Sequence, residues 1–320
     1  MRTLLLTRSQ VQALLDPASL VEPLRAGFVT YSATLTDRAR RVRSTLPGPG
    51  TVTVLFPGTA PGVPAYTVKV HAKFPGQEPA IRGVLCLHDR ATGDLIAIMD
   101  STYLTAVRTG IAGALAAHVL ARPDADTVAV IGAGVQGTHQ LRALAGLRSL
   151  RHVWVYDLVS DRAEAFAQVL TNELEVSIEA TPSAAAAVRE AGVVLVATWS
   201  RTPFIFPGML TPGAHVTTLG ADEPGKAEVS ADLIRTSLFV CDDRSLAVDL
   251  GALGAVGLGL DAVAAELGEV LSGLHAGRTS LGQITIYGGV GLPFQDTIAA
   301  WQVFEAARTR GIGEQIHFLA

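Results

Sequence analysis

The chain is poor in several things that would each have pointed somewhere else. It has only two cysteines, Cys86 and Cys241, far apart and each inside an apolar, strand-like segment. That excludes a disulfide framework and a cysteine-based metal cluster, and the two are read as reduced, buried thiols of a cytoplasmic protein. No apolar run approaches the ~18 residues of a membrane span. The longest, 250–260, is interrupted by glycines and flanked by Asp249 and Asp261. At the N-terminus Leu4-Leu5-Leu6 is too short for a signal peptide core, and Arg8 follows it. A net charge of −4 gives no electrostatic case for nucleic acid. The eight histidines are scattered without metal-ligand spacing. They are read as core-edge or surface residues, with His71 the one candidate for a site, and no metal is expected.

Lysine is scarce in a more useful way. Of 25 basic residues only Lys69, Lys73 and Lys226 are lysines. Arginine is the default surface cation here, so a retained lysine marks a need for a compact ammonium that can change protonation state. Lys73 is the one assigned to chance on the surface.

What is present is a globular composition, 49% hydrophobic and 17% charged, long enough for two domains. From residue 128 onward short apolar runs alternate with helical segments: runs at 128–131, 153–156, 176–178, 193–197, 215–219, 238–241 and 284–287, helices at 136–147, 161–174 and 182–190. Almost wholly apolar strands belong to a parallel sheet covered on both faces, so this part reads as a doubly wound α/β domain. The first ~110 residues instead show a helical pair (9–15 and 17–34). Turn-punctuated strands follow at 42–46, 51–56, 65–72, 82–88 and 95–100, with turns at 47–50 and 57–62. A helix over 106–120 bridges the two parts, opened by Arg108-Thr109. A last helix over 296–309 could return to the first part.

The first run of the α/β part ends in Gly132-x-Gly134-x-x-Gly137 and is followed by a helix, a second run and Asp157. That is the order of a dinucleotide-binding βαβ unit. The helix N-terminus would hold a pyrophosphate. Asp157 would accept from the ribose hydroxyls and repel a 2′-phosphate, which favours NAD over NADP.

Three polar clusters stand out. In the stretch 38–44, alternation puts Arg41 and Arg43 on one face; Arg38 and Arg40 read as a solvated edge. In Thr67-Val-Lys69-Val-His71, Lys69 and His71 share a face. In Gly220-Ala-Asp222-Glu-Pro-Gly-Lys226-Ala-Glu228, a carboxylate lies beyond the carboxyl end of a strand, where open α/β sheets place ligands. Asp222 there suits general acid/base work, and a helix-capping loop is the plainer alternative. Thr198-Trp-Ser200 occupies an equivalent strand end.

Together these segments resemble the ornithine cyclodeaminase/mu-crystallin family. The likeness is carried by Arg43-Ser44, Phe56-Pro57, Val68-Lys69-Val70, Thr92-Gly93, Ala97-Ile-Met-Asp100 and Leu104-Thr-Ala-Val-Arg108-Thr109. It continues through Gly132-Ala-Gly-Val-Gln136, Thr198-x-Ser200, Pro212-Gly213, Gly220-Ala-Asp222, Gly225-Lys226-x-Glu228, Ile284-Thr-Ile-Tyr287, Val290-Gly291 and Asp296. The resemblance implies NAD(P)-linked chemistry at the Cα–N bond of amino acids or cyclic imines. The family's cyclodeaminases, alanine dehydrogenases and ketimine or pyrroline-2-carboxylate reductases do this, while mu-crystallins also bind thyroid hormone.

It implies that Arg43, Lys69 and Arg108 hold the substrate carboxylate and that Lys69 and Asp222 are catalytic, Asp222 as the acid/base. Thr109, Gly132, Gly134, Val135, Gln136, Gly137, Asp157, Thr198, Leu219 and Lys226 fall to the dinucleotide. It further implies a central Rossmann domain, 116–296, and a discontinuous α+β substrate and dimerisation domain, 1–115 with 297–320. A homodimer or a multiple of one is expected. The usual methionine-proline is Phe56-Pro57 here, and no acidic residue lies between Leu46 and Val68. That argues for a small apolar amino acid or a cyclic imine over ornithine. Cyclodeamination of ornithine and non-catalytic ligand binding stay as alternatives; the presence of Lys69 and Asp222 weighs against the second.

Overall fold

The computed structural model describes residues 2–34, 38, 41–46, 52–74 and 76–318. Arg40 and the turn expected at 47–50 lie outside them. In chain order the elements begin with β1 (Thr3–Leu6), α1 (Arg8–Leu14), α2 (Pro17–Ala33), β2 (Val42–Thr45), β3 (Val52–Thr59), β4 (Ala65–Lys73), β5 (Ile81–Asp89), β6 (Leu95–Asp100) and α3 (Thr102–Leu120). There follow β7 (Thr127–Ile131), α4 (Val135–Leu147), β8 (His152–Tyr156), α5 (Ser160–Leu174), β9 (Ser177–Ala180), α6 (Ala184–Val188) and β10 (Val193–Val196). Next come β11 (His215–Thr218), α7 (Ala231–Arg235), β12 (Leu238–Cys241), α8 (Arg244–Asp249), α9 (Ala252–Ala255), β13 (Ala265–Glu266), α10 (Leu267–Leu271) and β14 (Thr285–Gly288). The chain closes with α11 (Pro293–Arg310) and β15 (Glu314–Ile316).

The chain divides into two compact units. One comprises 1–30, 34–108 and 292–320, the other 31–33 and 109–291. The divisions fall at 108/109 and 291/292, against the expected 115/116 and 296/297. The reason is local: Arg108 and the first turn of α11 bond to each other and to β4, so both belong with the first unit.

In the first unit the order β15-β1-β6-β5-β4-β3-β2 makes a mixed seven-stranded sheet. β1 runs parallel to β6, and β15 pairs antiparallel with β1. Neither terminal strand was expected, since each is short and its partners are distant in sequence. β3 runs on through Pro57-Gly58-Thr59, where a turn was expected. Pro57 faces Val68 of β4, and the described pairing of β2 with β3 ends at Val42 and Leu55, short of the proline. α11 covers one face of this sheet, lying against β3, β4 and β5.

The second unit is an eight-stranded, all-parallel sheet in the order β13-β12-β14-β11-β10-β7-β8-β9, with helices between strands. The fold is α/β, as the apolar runs predict. Strand order reverses direction at β7 and β10, so their carboxyl ends bound the crevice where such sheets hold ligands. α3 is the one described helix with the length and apolarity of a membrane span, and its apolar side chains are mostly buried in the fold.

Candidate functional site

In the first unit, β4 alternates strictly, so Ala65, Thr67, Lys69, His71 and Lys73 share the face that α11 covers. Lys69 is 0% exposed. Its Nζ donates to Asp296 Oδ2 at 2.6 Å and to Thr105 Oγ1 at 3.3 Å. Arg108 donates from Nε to Asp296 Oδ1 at 3.0 Å and from Nη1 to Gln295 Oε1 at 2.6 Å. One buried carboxylate thus sits between two buried cations. Burial pushes Lys69 down to about 7; Asp296 opposes the fall, and Arg108 and Arg41 add to it. For Asp296, burial pulls upward, but Arg108 and Lys69 outweigh it and leave the carboxyl below its ordinary range.

Phe56 lies opposite Lys69 in the register of β3 and β4. Lys69 Nζ and Arg41 Cζ each stand 4.4 Å from its ring centroid, and the His71 ring is 5.3 Å away. The phenyl ring is therefore a platform for two cations. Arg43 faces Val54 across β2 and β3, one cross-strand row away from the Phe56–Lys69 pair and on the same face. Two expectations need correcting here. Lys73 is buried, because β4 keeps its alternation to its last residue. Arg108 and Thr109 do not open α3: Asp100 Oδ1 accepts from Thr102 N–H at 3.0 Å and starts the helix at Thr102.

In the second unit the glycine loop joins β7 to α4. Gly132 has φ +101°, and a Cβ there would lie 2.5 Å from Ala197 O. A Cβ on Gly137 would lie 2.2 Å from Gly132 O, so α4 can pack this close only on glycine. Gly134 is the N-cap and faces open space; no side chain caps α4, Val135 is exposed, and Gln136 Oε1 is buried with no partner among the described residues. An uncapped helix start with free N–H groups and a clear approach fits a dinucleotide pyrophosphate. Asp157 braces the loop: Oδ2 accepts from Ala133 N–H at 2.9 Å and Oδ1 from Val159 N–H at 3.0 Å. Thr109 is half-buried on α3.

Glu228 ties the ends of β10 and β11 together. Its Oε1 accepts from Thr198 N–H at 2.6 Å and Thr198 Oγ1 at 2.7 Å, and its Oε2 from Thr218 Oγ1 at 2.6 Å and Gly220 N–H at 3.0 Å. Burial pushes this carboxyl above its ordinary range against those four bonds. Leu219, between the tied residues, is buried. Beyond it Asp222 is partly exposed, and Lys226 Nζ stands 3.1 Å from its Oδ1, 3.9 Å from Glu223 Oε1 and 4.0 Å from the ring centroid of Trp199. The following helix, α7, is capped by Ser230, so Asp222 is not a helix cap.

Sequence reasoning singled out the cations and missed the anions that organise them. Asp296 entered only as a matching residue of a resemblance, and Glu228 as the end of a polar cluster, neither with a role. A buried carboxylate has no local signature when its partners lie elsewhere in the chain. His215, expected at an edge or surface, is wholly buried, sharing hydrogen bonds with Thr285 Oγ1 and Thr217 Oγ1, both at 2.9 Å.

Comparison with known proteins agrees with this architecture. Alanine dehydrogenase of Archaeoglobus fulgidus is 30% identical across 99% of both chains. An archaeal alanine dehydrogenase dimer with bound NAD superposes with a TM-score of 0.94 at 30% identity, covering 100% of each chain. The Delta(1)-pyrroline-2-carboxylate reductase of Thermococcus litoralis, in complex with NADH and L-proline, does so with a TM-score of 0.92 at 27% identity, covering 98% of this chain and 100% of that one. The family profile of the ornithine cyclodeaminases and mu-crystallins matches residues 1–311, and the chain belongs to the ornithine cyclodeaminase/mu-crystallin family.

Proposed function

We propose that this chain is an NAD-dependent oxidoreductase acting on the Cα–N bond of a small amino acid or cyclic imine. The observation that carries the reading is one chain holding both an uncapped glycine loop braced by Asp157 and a buried Lys69–Asp296–Arg108 cluster. The two cations and one anion of that cluster leave a single positive charge, the complement of one carboxylate. NAD, when bound, would take or give the hydride at the substrate Cα. Lys69 and Arg108, with Arg43, would hold the carboxylate. Asp222 would take a proton from the substrate amine, or give one to the imine nitrogen in the reverse direction. The ribose contact of Asp157 repels a 2′-phosphate and favours NAD over NADP.

A diamino acid fits poorly. Its distal ammonium would need a buried anion. Beside Phe56 the inward residues of β3 are Val52 and Val54, and Asp296 is already committed to two cations. The substrate class is therefore small and apolar, or cyclic.

The second proposal is a homodimer. Val42, Leu55, Val70 and Val84 form one cross-strand row over β2, β3, β4 and β5, on the face opposite α11. Val42 is 56% exposed, Leu55 39% and Val84 42%. An apolar row of this kind marks an association surface.

The test is a panel read by NADH absorbance: alanine with NAD, ornithine with NAD, pyruvate and ammonia with NADH, and pyrroline- or piperideine-2-carboxylate with NADH. Turnover of alanine, pyruvate or a cyclic imine is expected. Turnover of ornithine alone would move the reading to a cyclodeaminase. None at all, with NADH still bound, would favour a ligand-binding protein.

A further inference from the structure

We infer that Asp296 is a positioning residue of the substrate site: its two carboxylate oxygens hold Lys69 and Arg108 as a matched pair, and so fix both the direction and the summed charge of the groups that meet the substrate carboxylate. This rests on the reading of Lys69 and Arg108 as that clamp.

The geometry is specific. Asp296 takes Lys69 on Oδ2 and Arg108 on Oδ1, one cation to each oxygen. It bonds Arg108 through Nε, and Gln295 Oε1 takes Nη1. Gln295 is itself fixed, because the same oxygen accepts from Leu292 N–H at 3.2 Å at the start of α11. Arg108 Nη2 has no partner among the described residues, which leaves it as the donor for a substrate oxygen. Lys69 spends two of its three donors on Asp296 and Thr105. Lys69 keeps one N–H donor and Arg108 keeps both of those on Nη2, enough to meet the two oxygens of a carboxylate.

The surroundings explain why an anion is required. The groups that face Lys69 are Arg108 and Thr105 from α3, Asp296 from α11, Phe56 from β3, and Arg41 just before β2. His71 follows on the same face of β4 and packs on Phe56. Among the described residues that face Lys69, only Asp296 is negative. Without it, a lysine out of contact with water beside two guanidiniums would give up its proton. With it, Lys69 already titrates near neutral pH. Protonated, the cluster carries one net positive charge; deprotonated, it carries none. Substrate affinity should therefore fall as pH rises through the Lys69 transition, and Asp296 should set where that transition lies.

The chain's three lysines make a direct test practicable. Lysine labelled with ¹³C at Cε gives three resonances, and Lys69→Arg identifies one. In the wild type that resonance should titrate near pH 7, and 1/KM for the substrate should break at the same pH. In Asp296→Asn both should move down by about one pH unit or more, a tenfold change in the protonated fraction on the alkaline side. NADH affinity, read by fluorescence, should stay within about twofold, because the phosphate and ribose contacts are elsewhere. Lys69→Arg should abolish the break in 1/KM, since a guanidinium keeps its charge.

A Lys69 resonance that titrates in the ordinary lysine range in the wild type overturns the inference without any variant, as does an unchanged titration in Asp296→Asn. Should Asp296→Asn fail to fold, Asp296→Glu moves the charge by one methylene, and an unshifted Lys69 titration there would count equally against it. The underlying clamp reading fails separately: Lys69→Met and Lys69→Arg would both leave KM unchanged, whatever the resonance does.

Discussion

Lys226 Nζ lies 3.1 Å from Asp222 Oδ1, within the loop that follows β11. The same ammonium rests over Trp199, so the lysine is held from two sides and in turn holds the carboxylate. This favours a role in aiming Asp222 over a direct grip on the dinucleotide. Asp222→Asn keeps the size of the side chain but cannot exchange the proton. Its kcat should fall by about 10² to 10⁴ while NADH affinity survives. Near-wild-type turnover would reject Asp222 as the proton-transfer group and leave the fold assignment untouched.

Lys226→Met separates the two roles of that lysine. A loosened Asp222 should lower kcat by about tenfold or more, with NADH dissociation changed little. The opposite split, weaker NADH binding with kcat kept at saturation, would return Lys226 to the cofactor.

Asp157 carries two duties, and its substitution should show both. Its Oδ2 accepts from Ala133 N–H in the glycine loop, and in the proposed function its charge would face the 2′ position of the ribose. Asp157→Ser should weaken NADH binding and narrow the preference over NADPH, by about tenfold for each ~1.4 kcal/mol of lost discrimination. Fluorescence titrations with both cofactors measure the ratio, and an unchanged ratio would contradict the assignment.

How much of this was legible beforehand depended on distance along the chain. The glycine loop, Asp157 and the parallel strands are local patterns, and the structure has them where the residues predict. The strand pattern at 65–72 gave the shared face of Lys69 and His71 as well. What alternation could not give is depth. It puts Lys73 on the same face without saying that the face is covered to the end of β4. Nor could it find Asp296, which lies 227 residues from Lys69 and meets it only through the return of α11. Glu228 stood in a recognised loop, yet its work is to join Thr198 and Gly220 across two strand ends, and that needs the sheet order. Strands β1 and β15 were illegible for the same reason, since each is defined by a partner from the other end of the chain.

His215 should make the protein sensitive to mild acid. Burial, with Arg278 and Arg148 adding, pushes its pKa down to about 3. The unfolded chain protonates this side chain near pH 6.5. The stabilising effect of a neutral folded histidine is therefore complete above ~6.5 and is lost as pH falls towards 3. His215→Gln removes this proton linkage. Its deficit in urea stability relative to wild type should shrink between pH 7 and pH 5, by at most about 2 kcal/mol. A deficit independent of pH would show that the folded histidine takes up its proton over the same range as the unfolded chain, and would reject the shift.

The apolar row on the outer sheet face offers a test of assembly. Leu55→Lys combined with Val84→Lys places two charges in the row without touching the residues that face α11. Light scattering should show a dimer for the wild type and a monomer for the double variant at micromolar concentration, with circular dichroism retained. A double variant that stays dimeric would place the interface elsewhere.

Glu228→Gln tests whether the strand ends are tied by a carboxylate or merely by any group of that shape. Each oxygen of Glu228 faces one backbone N–H, from Thr198 on one side and Gly220 on the other. A backbone N–H can only donate. The two hydroxyls, Thr198 Oγ1 and Thr218 Oγ1, can rotate and accept, but those amides cannot. A glutamine has one accepting oxygen, so in either orientation its NH₂ meets a buried N–H head-on. Leaving such a donor unsatisfied costs about 1–3 kcal/mol. Glu228→Gln should therefore lower the midpoint of thermal unfolding. It should also loosen the Gly220–Asp222 backbone, reducing kcat more than it weakens NADH binding at the glycine loop. Glu228→Asp, which keeps both oxygens but withdraws them, should fall between the two. If the glutamine variant matched wild type in both stability and turnover, the carboxylate would have no part in holding Asp222.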